Sequence, residues 1–272
     1  MPADSGNHIQ ASEVVLPCEE LESTLTFFTE FLGFQINSIF PADAPLVASI
    51  SGYGVHLRLD CRASGHPGKL RILCQNPKEF AEGATELTAP NGTIIEIAEA
   101  DPPLLLPPEK QSFVMNHYSK DASWEIGRAG MNYRDLIPNR QGGRFIASHI
   151  RIPEGGPVPD YSHFHKIRFQ MIFCYRGWVR VVYEDQGPPF VMHSGDCVLQ
   201  PPQIRHRVLE SSDGLEVIEI SCPAEHETRA DYEIDLPTKK VQPNRDFSGQ
   251  HFVLHKVSQA EWRPWRMTGL EF

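Results

Sequence analysis

The sequence predicts a mostly β protein of the α+β type, made of two domains. Its 272 residues match the length of about two ordinary domains. Its 20 glycines and 23 prolines favour a turn-rich β architecture over a helical bundle. From Gly142 to about Cys222, short runs of strand-forming residues alternate with Gly/Pro turns, which is typical of a small antiparallel barrel or sandwich.

Residues 1–100 are predicted to form the first domain, which begins with a strand over 12–18 and a helix over 19–33. Acidic residues open this helix and Gly33 closes it, as the helix dipole and C-terminal capping prefer. One face of the helix carries an apolar stripe made of Leu21, Leu25, Phe28 and Leu32. Further strands are predicted in FQINSIF, PLVASIS, VHLRLD, LRILC and TIIEIAEA.

Three more segments complete the predicted domain organisation. Residues 101–141 are interpreted as a linker and the approach to a barrel, because DPPLLLPPE is rich in proline, which cannot donate to a sheet ladder. Residues 142–222 are the predicted barrel, and the polar, proline-punctuated residues 223–272 are a C-terminal wrapping segment. The barrel strands are predicted in FIASHIRI, HFHKIRF, QMIFCY, WVRVVYE, FVMHS, DCVLQPP, HRVLES and LEVIEIS.

Charge and cysteine usage exclude several classes of protein. The formal net charge of −10 argues against nucleic acid or an anionic membrane as a partner. No apolar run approaches the ~18 residues of a membrane span. The six cysteines contain no C-x-x-C pair, which indicates reduced thiols, and the start MPADSGNHIQ has no signal-peptide pattern. We therefore expect a cytoplasmic protein.

A metal site is predicted at HFHKIRFQ. Side chains alternate across a strand, so His163 and His165 point to the same face. Gln170 follows a short bend and can return on the neighbouring strand, and His206 is a further strand-borne histidine. Three imidazoles and one amide oxygen suit Fe(II), Mn, Ni, Co or Zn.

This stretch resembles the first motif of the cupin superfamily. That motif runs glycine, five residues, H-x-H, three or four residues, glutamate, six residues, glycine. Here His163-x-His165 is followed by four residues, Gln170, six residues and Gly177. Gly156 precedes His163 by six intervening residues, one more than the pattern.

The second cupin motif has a partial match. It runs glycine, five residues, P-x-G, two residues, histidine, three residues, asparagine. Here Gly195 is followed by five residues, Pro201-Pro202-Gln203, two residues, His206, three residues and Glu210. The proline and the histidine match, whereas Gln203 and Glu210 replace the second glycine and the asparagine.

A lone H-x-H on a strand is more often decoration than a ligand pair, but His206 at the motif spacing reverses that balance. Structural or solvent roles are predicted for four other histidines: His149, His193, His226 and His255. The resemblance implies a double-stranded β-helix (jelly-roll) barrel that holds a divalent metal. It implies Fe(II) first, with Zn, Ni or Mn as alternatives. The implied ligands are His163, His165, Gln170 and His206.

Gln170 stands where the resemblance leads us to expect a glutamate. A glutamine offers only a neutral carbonyl oxygen and cannot accept a proton. The metal would then keep its full 2+ charge and favour anionic or enolate-like substrates. It would also be bound more weakly, because one anionic ligand is missing.

The first domain resembles the vicinal-oxygen-chelate group, which includes glyoxalase I, bleomycin-resistance proteins and extradiol dioxygenases. SEVVLPCEELESTLTFFTEFLGF matches its opening strand and helix, and PNGTIIEIAEA its closing strand. The resemblance implies Glu13 and Glu96 as ligand positions. Arg58 and Arg71 fall where further ligands would sit, and a cation cannot coordinate a metal. We interpret the domain as degenerate and without catalytic metal, its glutamates being solvated or salt-bridged.

Three functions remain open. The first is dioxygenase-type chemistry on a small organic acid or aromatic compound. The second is isomerase or lyase chemistry through an enediolate on a sugar acid or polyketide-like substrate, and the third is small-molecule binding without catalysis. A homodimer is expected by analogy with the fold. The polar candidates for orienting a substrate are Arg144, Arg168, Tyr183, Arg205 and Glu210.

Overall fold

A computed structural model describes residues 9–119 and 123–263 of the chain. Expectations for the first eight residues and for the last nine residues of the wrapping segment lie outside these ranges. The chain divides into two compact units, and the boundary follows Pro103 in the proline-rich segment.

The N-terminal unit consists of two consecutive β-α-β arrangements. The first contains β1 (Val14–Pro17), α1 (Leu21–Thr26), a π-helical continuation (Phe27–Phe31), β2 (Gln35–Phe40), β3 (Val47–Gly52) and β4 (Val55–Asp60). The second contains β5 (Lys69–Cys74), α2 (Pro77–Phe80), β6 (Glu86–Thr88) and β7 (Ile94–Glu99). The first sheet has the order β1-β4-β3-β2 with β1 parallel to β4, and the second has the order β5-β7-β6 with β5 parallel to β7.

The predicted helix and its apolar stripe are present. Leu21, Phe28 and Leu32 are buried, and each contributes about 1.5–3 kcal/mol by leaving water. The Phe28 ring packs edge-on against Phe34, with the ring centroids 5.6 Å apart. Gly33 follows with a φ of 78°, a left-handed conformation that ends helices. Within the described ranges, no helix is long and apolar enough to cross a bilayer.

The C-terminal unit is a sandwich of two antiparallel sheets. Its strands are β8 (Glu125–Ile126), β9 (Asn132–Asp135), β10 (Ile146–Ile152), β11 (Gly156–Pro157), β12 (His163–His165), β13 (Phe169–Arg176), β14 (Trp178–Tyr183), β15 (Phe190–His193), β16 (Cys197–Leu199), β17 (His206–Ser211), β18 (Leu215–Cys222), β19 (Thr228–Ala230) and β20 (Val253–His255). One sheet has the order β20-β16-β13-β18-β10-β9-β8. The other has the order β15-β14-β17-β12-β19, with β11 also pairing β17. The mostly β class is confirmed.

The core of this unit lies between the two sheets. Cys174 and Val198 of the seven-stranded sheet pack in one apolar cluster with Val181 and Met192 of the six-stranded sheet. Strand β14 shows the alternation, with exposed Arg180 between buried Val179 and Val181. Inward-facing side chains of both sheets therefore meet in the space between them.

Strand pairing extends beyond the predicted barrel limits of 142 and 222. Strands β8 and β9 add to one side of the seven-stranded sheet, and β20 pairs with β16 at its other edge. Strand β19 pairs with β12 in the other sheet. These additions have two to four residues each, too few to show an alternating pattern in the sequence.

Gly177 makes the turn between β13 and β14 possible. Its φ of 79° lies in the left-handed region, and a Cβ there would overlap the Ser212 hydroxyl oxygen. That oxygen accepts a hydrogen bond of 3.0 Å from the Trp178 backbone N–H and therefore cannot move freely. Gly156 has a φ of 106°, but a Cβ there would meet open space.

We predict that Gly177→Ala destabilises the barrel by about 2–4 kcal/mol, the sum of left-handed strain and a steric overlap. Gly156→Ala is the matched control and should cost only the strain, about 1–2 kcal/mol. Urea unfolding of the two variants measures the difference. Equal losses would contradict the role of Ser212.

Candidate metal centre

Strand register brings three histidines together. Strands β12 and β17 pair antiparallel with His163 directly opposite His206, and such partners have neighbouring side chains. His165 lies two residues further along β12 and shares the inward face, as predicted. The ring centroids of His163 and His206 are 4.2 Å apart, and His165 lies 5.1 and 5.2 Å from them. One nitrogen from each histidine lies within 4.8 Å of the others.

Backbone carbonyls fix the tautomers of two of these rings. His163 Nδ1 lies 2.8 Å from the Tyr161 carbonyl oxygen, and His206 Nδ1 lies 3.1 Å from that of Ile204. A carbonyl can only accept, so both Nδ1 atoms carry the proton. The Nε2 atoms of both rings therefore carry a lone pair and no proton, as metal ligands require.

His165 is held from the C-terminal segment. Its Nδ1 lies 2.8 Å from the hydroxyl of Thr228, which belongs to β19. The His226 ring packs edge-on against it, with centroids 5.3 Å apart. The wrapping segment thus supplies contacts to the site.

Burial keeps the three rings neutral. It lowers the pKa of His165 to about 2, with smaller contributions from His163 and His226. It lowers the pKa of His206 well below its usual value and also lowers that of His163, in which the Arg128 charge contributes. Neutral imidazole is the form that binds metal, so protons compete weakly for this site.

His163 Nε2 is buried and has no hydrogen-bond partner among the described residues. An unpartnered buried polar atom costs about 1–3 kcal/mol, and a bound cation would remove that cost. The donor set of three neutral imidazoles fits a divalent transition metal. In the described ranges, these histidines are the one group of three or more His, Cys, Asp or Glu side chains with this geometry.

Gln170 comes from the opposite sheet, on β13, and is fully buried. Its Oε1 accepts a hydrogen bond of 2.8 Å from Gln200 Nε2, which also lies 3.3 Å from His206 Nε2. Tyr183 donates to Gln200 Oε1 at 3.0 Å and stacks on His206 at 5.4 Å. The structure therefore joins Gln170 to the histidines through Gln200. Its role as a fourth ligand stays a prediction.

Glu219 on β18 places a carboxyl group beside this cluster. Burial raises its pKa, and the nearby His226 and the Gln170 amide partly offset that rise. The carboxyl lines the same cavity as His165 and His206. The site therefore contains a group that can hold a proton, although position 170 does not supply one.

A cavity of about 520 Å³ lies between the sheets and reaches His165 and His206. Its walls are mainly aliphatic and come from both sheets, for example Ile150, Ile172, Val181 and Val208. Cavities of this size and character bind small organic molecules.

Arg128 is a further polar residue of the cavity wall. It lies between β8 and β9, and its Nη1 donates to the carboxylate of Asp160. Asp160 is buried, and its other oxygen accepts a hydrogen bond of 2.9 Å from the Val208 backbone N–H.

Of the five polar candidates, Tyr183 lines the cavity and the other four do not. Arg205 stacks on Phe164 at 4.4 Å and pairs with Asp231 at 3.1 Å. Glu210 pairs with Arg180 at 2.9 Å.

Arg168 and Arg144 also lie outside the cavity lining. The Arg168 residue is exposed, and its backbone N–H bonds to the Cys222 carbonyl. Arg144 donates through Nη1 to the Pro107 carbonyl at 3.0 Å.

The ligand positions implied for the N-terminal unit form no metal cluster among its described residues. Glu13 is exposed, and Arg58 pairs with Asp60. Glu96 accepts from Lys69 at 3.0 Å and Arg71 at 2.9 Å.

Sequence reasoning missed five residues of the site. Arg128, Glu219 and Thr228 reach it from distant parts of the chain, whereas Asp160 and Gln200 lie near His163 and His206 in the sequence. One weak signal existed: Gln200 directly precedes the Pro-Pro of the second motif. No local sequence pattern marks the other four residues. The missed residues are Arg128, Asp160, Gln200, Glu219 and Thr228.

Comparison with known proteins gives partial likenesses to solved structures. The polyketide cyclase RemF from Streptomyces resistomycificus is 21% identical with a TM-score of 0.38, over 46% of this chain and 90% of that one. An RmlC-like cupin from Shewanella frigidimarina is 21% identical with a TM-score of 0.35, over 43% and 96%. A variant of Bacillus subtilis oxalate decarboxylase is 15% identical with a TM-score of 0.33, over 57% and 37%. No family model and no curated protein matches the sequence.

We predict that the metal-free protein loses stability as pH falls below 6.5, partly through His165. Unfolding restores the ordinary pKa of 6.5, so the unfolded chain binds a proton that the folded site refuses. His165→Asn removes this contribution, about 1.4 kcal/mol per pH unit below 6.5. Urea unfolding between pH 7.5 and 4.5 measures it, and His193→Asn at an exposed position is the control. A stability difference that is independent of pH would contradict the prediction.

Proposed function

We propose that the C-terminal unit is a metal-binding cupin that acts as an enzyme on a small organic acid or aromatic compound. His163, His165 and His206 would hold the ion, with Gln170 as a neutral fourth ligand. The observation that carries the proposal is the convergence of three histidine nitrogens within 4.8 Å. The spacing of both histidine motifs in the sequence is independent support.

A divalent ion in this site would supply Lewis-acid chemistry and, if it is iron, chemistry with dioxygen. The residues of the chain would do the rest. Aliphatic walls such as Ile150 and Val181 exclude water from the substrate, which strengthens electrostatic contacts there. Glu219 would hold or move a proton at its carboxyl oxygen. Tyr183 would keep Gln200 oriented beside His206.

The proposal is tested by metal content. We predict that the wild type, purified without chelators, carries a divalent metal, and that His163→Ala and His206→Ala lose it. Changes next to ligands already weaken metal binding by about 10- to 100-fold, so loss of a ligand should weaken it by about 100-fold or more. His193→Ala, outside the site, is the control. Elemental analysis and chelator competition measure the metal content and the affinity. The proposal would be refuted if wild-type protein were isolated without metal and then bound neither Fe(II), Zn, Ni nor Mn.

The same preparation separates the two enzyme chemistries. Dioxygenase-type oxidation is the first proposal and requires iron and oxygen uptake with substrate. The enediolate isomerase or lyase alternative is favoured by the neutral Gln170 and requires no dioxygen. Turnover under anaerobic conditions with zinc or nickel would support the alternative.

A second variant tests Gln170 itself. We predict that Gln170→Glu tightens metal binding about 10-fold or more, because an anionic ligand attracts the cation. The metal-free variant should be less stable, because the charge of a buried carboxylate is then not compensated by a cation. Gln200→Glu is the matched control, since it makes the same change one hydrogen bond away. If only Gln200→Glu bound the metal more tightly, the fourth ligand would be Gln200 and not Gln170.

For the N-terminal unit we infer a degenerate vicinal-oxygen-chelate domain without catalytic metal. The strand order β1-β4-β3-β2, with a helix between β1 and β2, supports the resemblance. The two cations on Glu96 support a salt-bridged carboxylate in place of a ligand. Forming a homodimer is the role that we propose for this unit.

A further inference from the structure

We propose that Arg128 binds the carboxylate of an apolar, ring-sized carboxylic acid in the barrel cavity. This inference deepens the proposed function by naming the class of substrate and the residue that selects it. The chemical basis is one guanidinium group in the wall of an aliphatic cavity next to the histidines.

The guanidinium of Arg128 keeps donors for a ligand. An arginine has five N–H donors, and one of its nitrogens, Nη1, donates to Asp160. The side chain is 25% exposed and lines the cavity. A carboxylate can accept two parallel hydrogen bonds from such a group, a geometry that arginine favours.

Asp160 positions the guanidinium beside the metal centre. The aspartate is buried and anchored by the Val208 backbone N–H. Its Oδ1 also lies 3.7 Å from His163 Nδ1. Arg128 is therefore joined through a single side chain to a predicted ligand. An acid bound at Arg128 would extend from there along the cavity.

The described side chains of the cavity wall include one arginine and two glutamates. Among the described residues that line the cavity, Arg128 is the one arginine or lysine. The two glutamates of the cavity wall are Glu219 on β18 and Glu125 on β8, which is exposed. Among the described side chains of the cavity wall, Arg128 is therefore the group that attracts an entering anion, and a metal ion in the proposed centre would add to that attraction.

The rest of the cavity selects an apolar body. Aliphatic side chains such as Ile152, Val179 and Leu215 line it and offer no hydrogen bonds. A volume of about 520 Å³ accommodates one or two rings. A small hydrophilic acid would leave this surface without contacts.

The test compares 2-naphthoate with 2-naphthamide, a neutral probe of nearly the same shape. Binding of each to zinc-loaded protein is measured by calorimetry for wild type, Arg128→Leu and Arg128→Lys. Arg180→Leu is the matched control, because Arg180 is also ion-paired but lies outside the cavity lining. Zinc content is measured separately on every sample.

We predict that Arg128→Leu weakens naphthoate binding by about 10- to 100-fold and changes naphthamide binding by less than about 2-fold. Arg128→Lys should retain part of the preference, and Arg180→Leu all of it. Equal losses for both probes, unchanged naphthoate binding in Arg128→Leu, or no naphthoate binding to wild type would overturn the inference. If Arg128→Leu does not fold, the ratio of the two affinities in Arg128→Lys decides, and an unchanged ratio overturns it.

The zinc content distinguishes failure of the proposed metal site from failure of the inference about Arg128. If wild type holds no zinc, the same series is run on the protein as isolated. A naphthoate preference that depends on Arg128 would then uphold this inference while the metal proposal fails. Zinc bound at the histidines without that preference would give the opposite result.

Discussion

The pairing of β12 with β17 is the constraint on which the candidate site depends. It sets His163 opposite His206, and the two-residue period of the strand then adds His165 to the same face. A slip of one residue would turn these side chains to the outside, because successive residues point to opposite faces. Strand β17 is itself placed by its pairing with β14, whose Val179 and Val181 are buried between the sheets. Burial of apolar side chains on β14 thus contributes to the position of the histidines.

The site consists of polar side chains in an apolar interior, and the Nδ1 atom of each histidine has a hydrogen-bond partner. The Nδ1 atoms of His163 and His206 bond to carbonyls two residues away. The His163 Nε2 atom is buried without a hydrogen-bond partner among the described residues, close to nitrogens of His165 and His206. Such an arrangement is unfavourable for the folded chain alone and favourable with a cation, so stability and metal occupancy are linked.

The strands and the three histidines could be predicted because their signals are local. Alternation, turn residues and motif spacing lie within short windows of sequence. The faces of Arg205 and Glu210 could not be predicted in the same way. The β14–β17 pairing shifts register between Arg180 and Val181, and such a bulge changes which residues point inward. Arg128 and Glu219 join the site through contacts between residues far apart in the chain, which no local pattern shows.

The contact between His165 and Thr228 links the centre to a late part of the chain. All three histidines precede Thr228, and the strand that carries it pairs with β12 only after the barrel strands have been made. During synthesis from the N-terminus, the histidines therefore leave the ribosome before the hydroxyl that orients one of them. A nascent chain that ends before β19 has the three histidines but lacks the hydroxyl that contacts the His165 ring. At the proposed centre, a metal ion would therefore meet the oriented ring only after this strand has been translated.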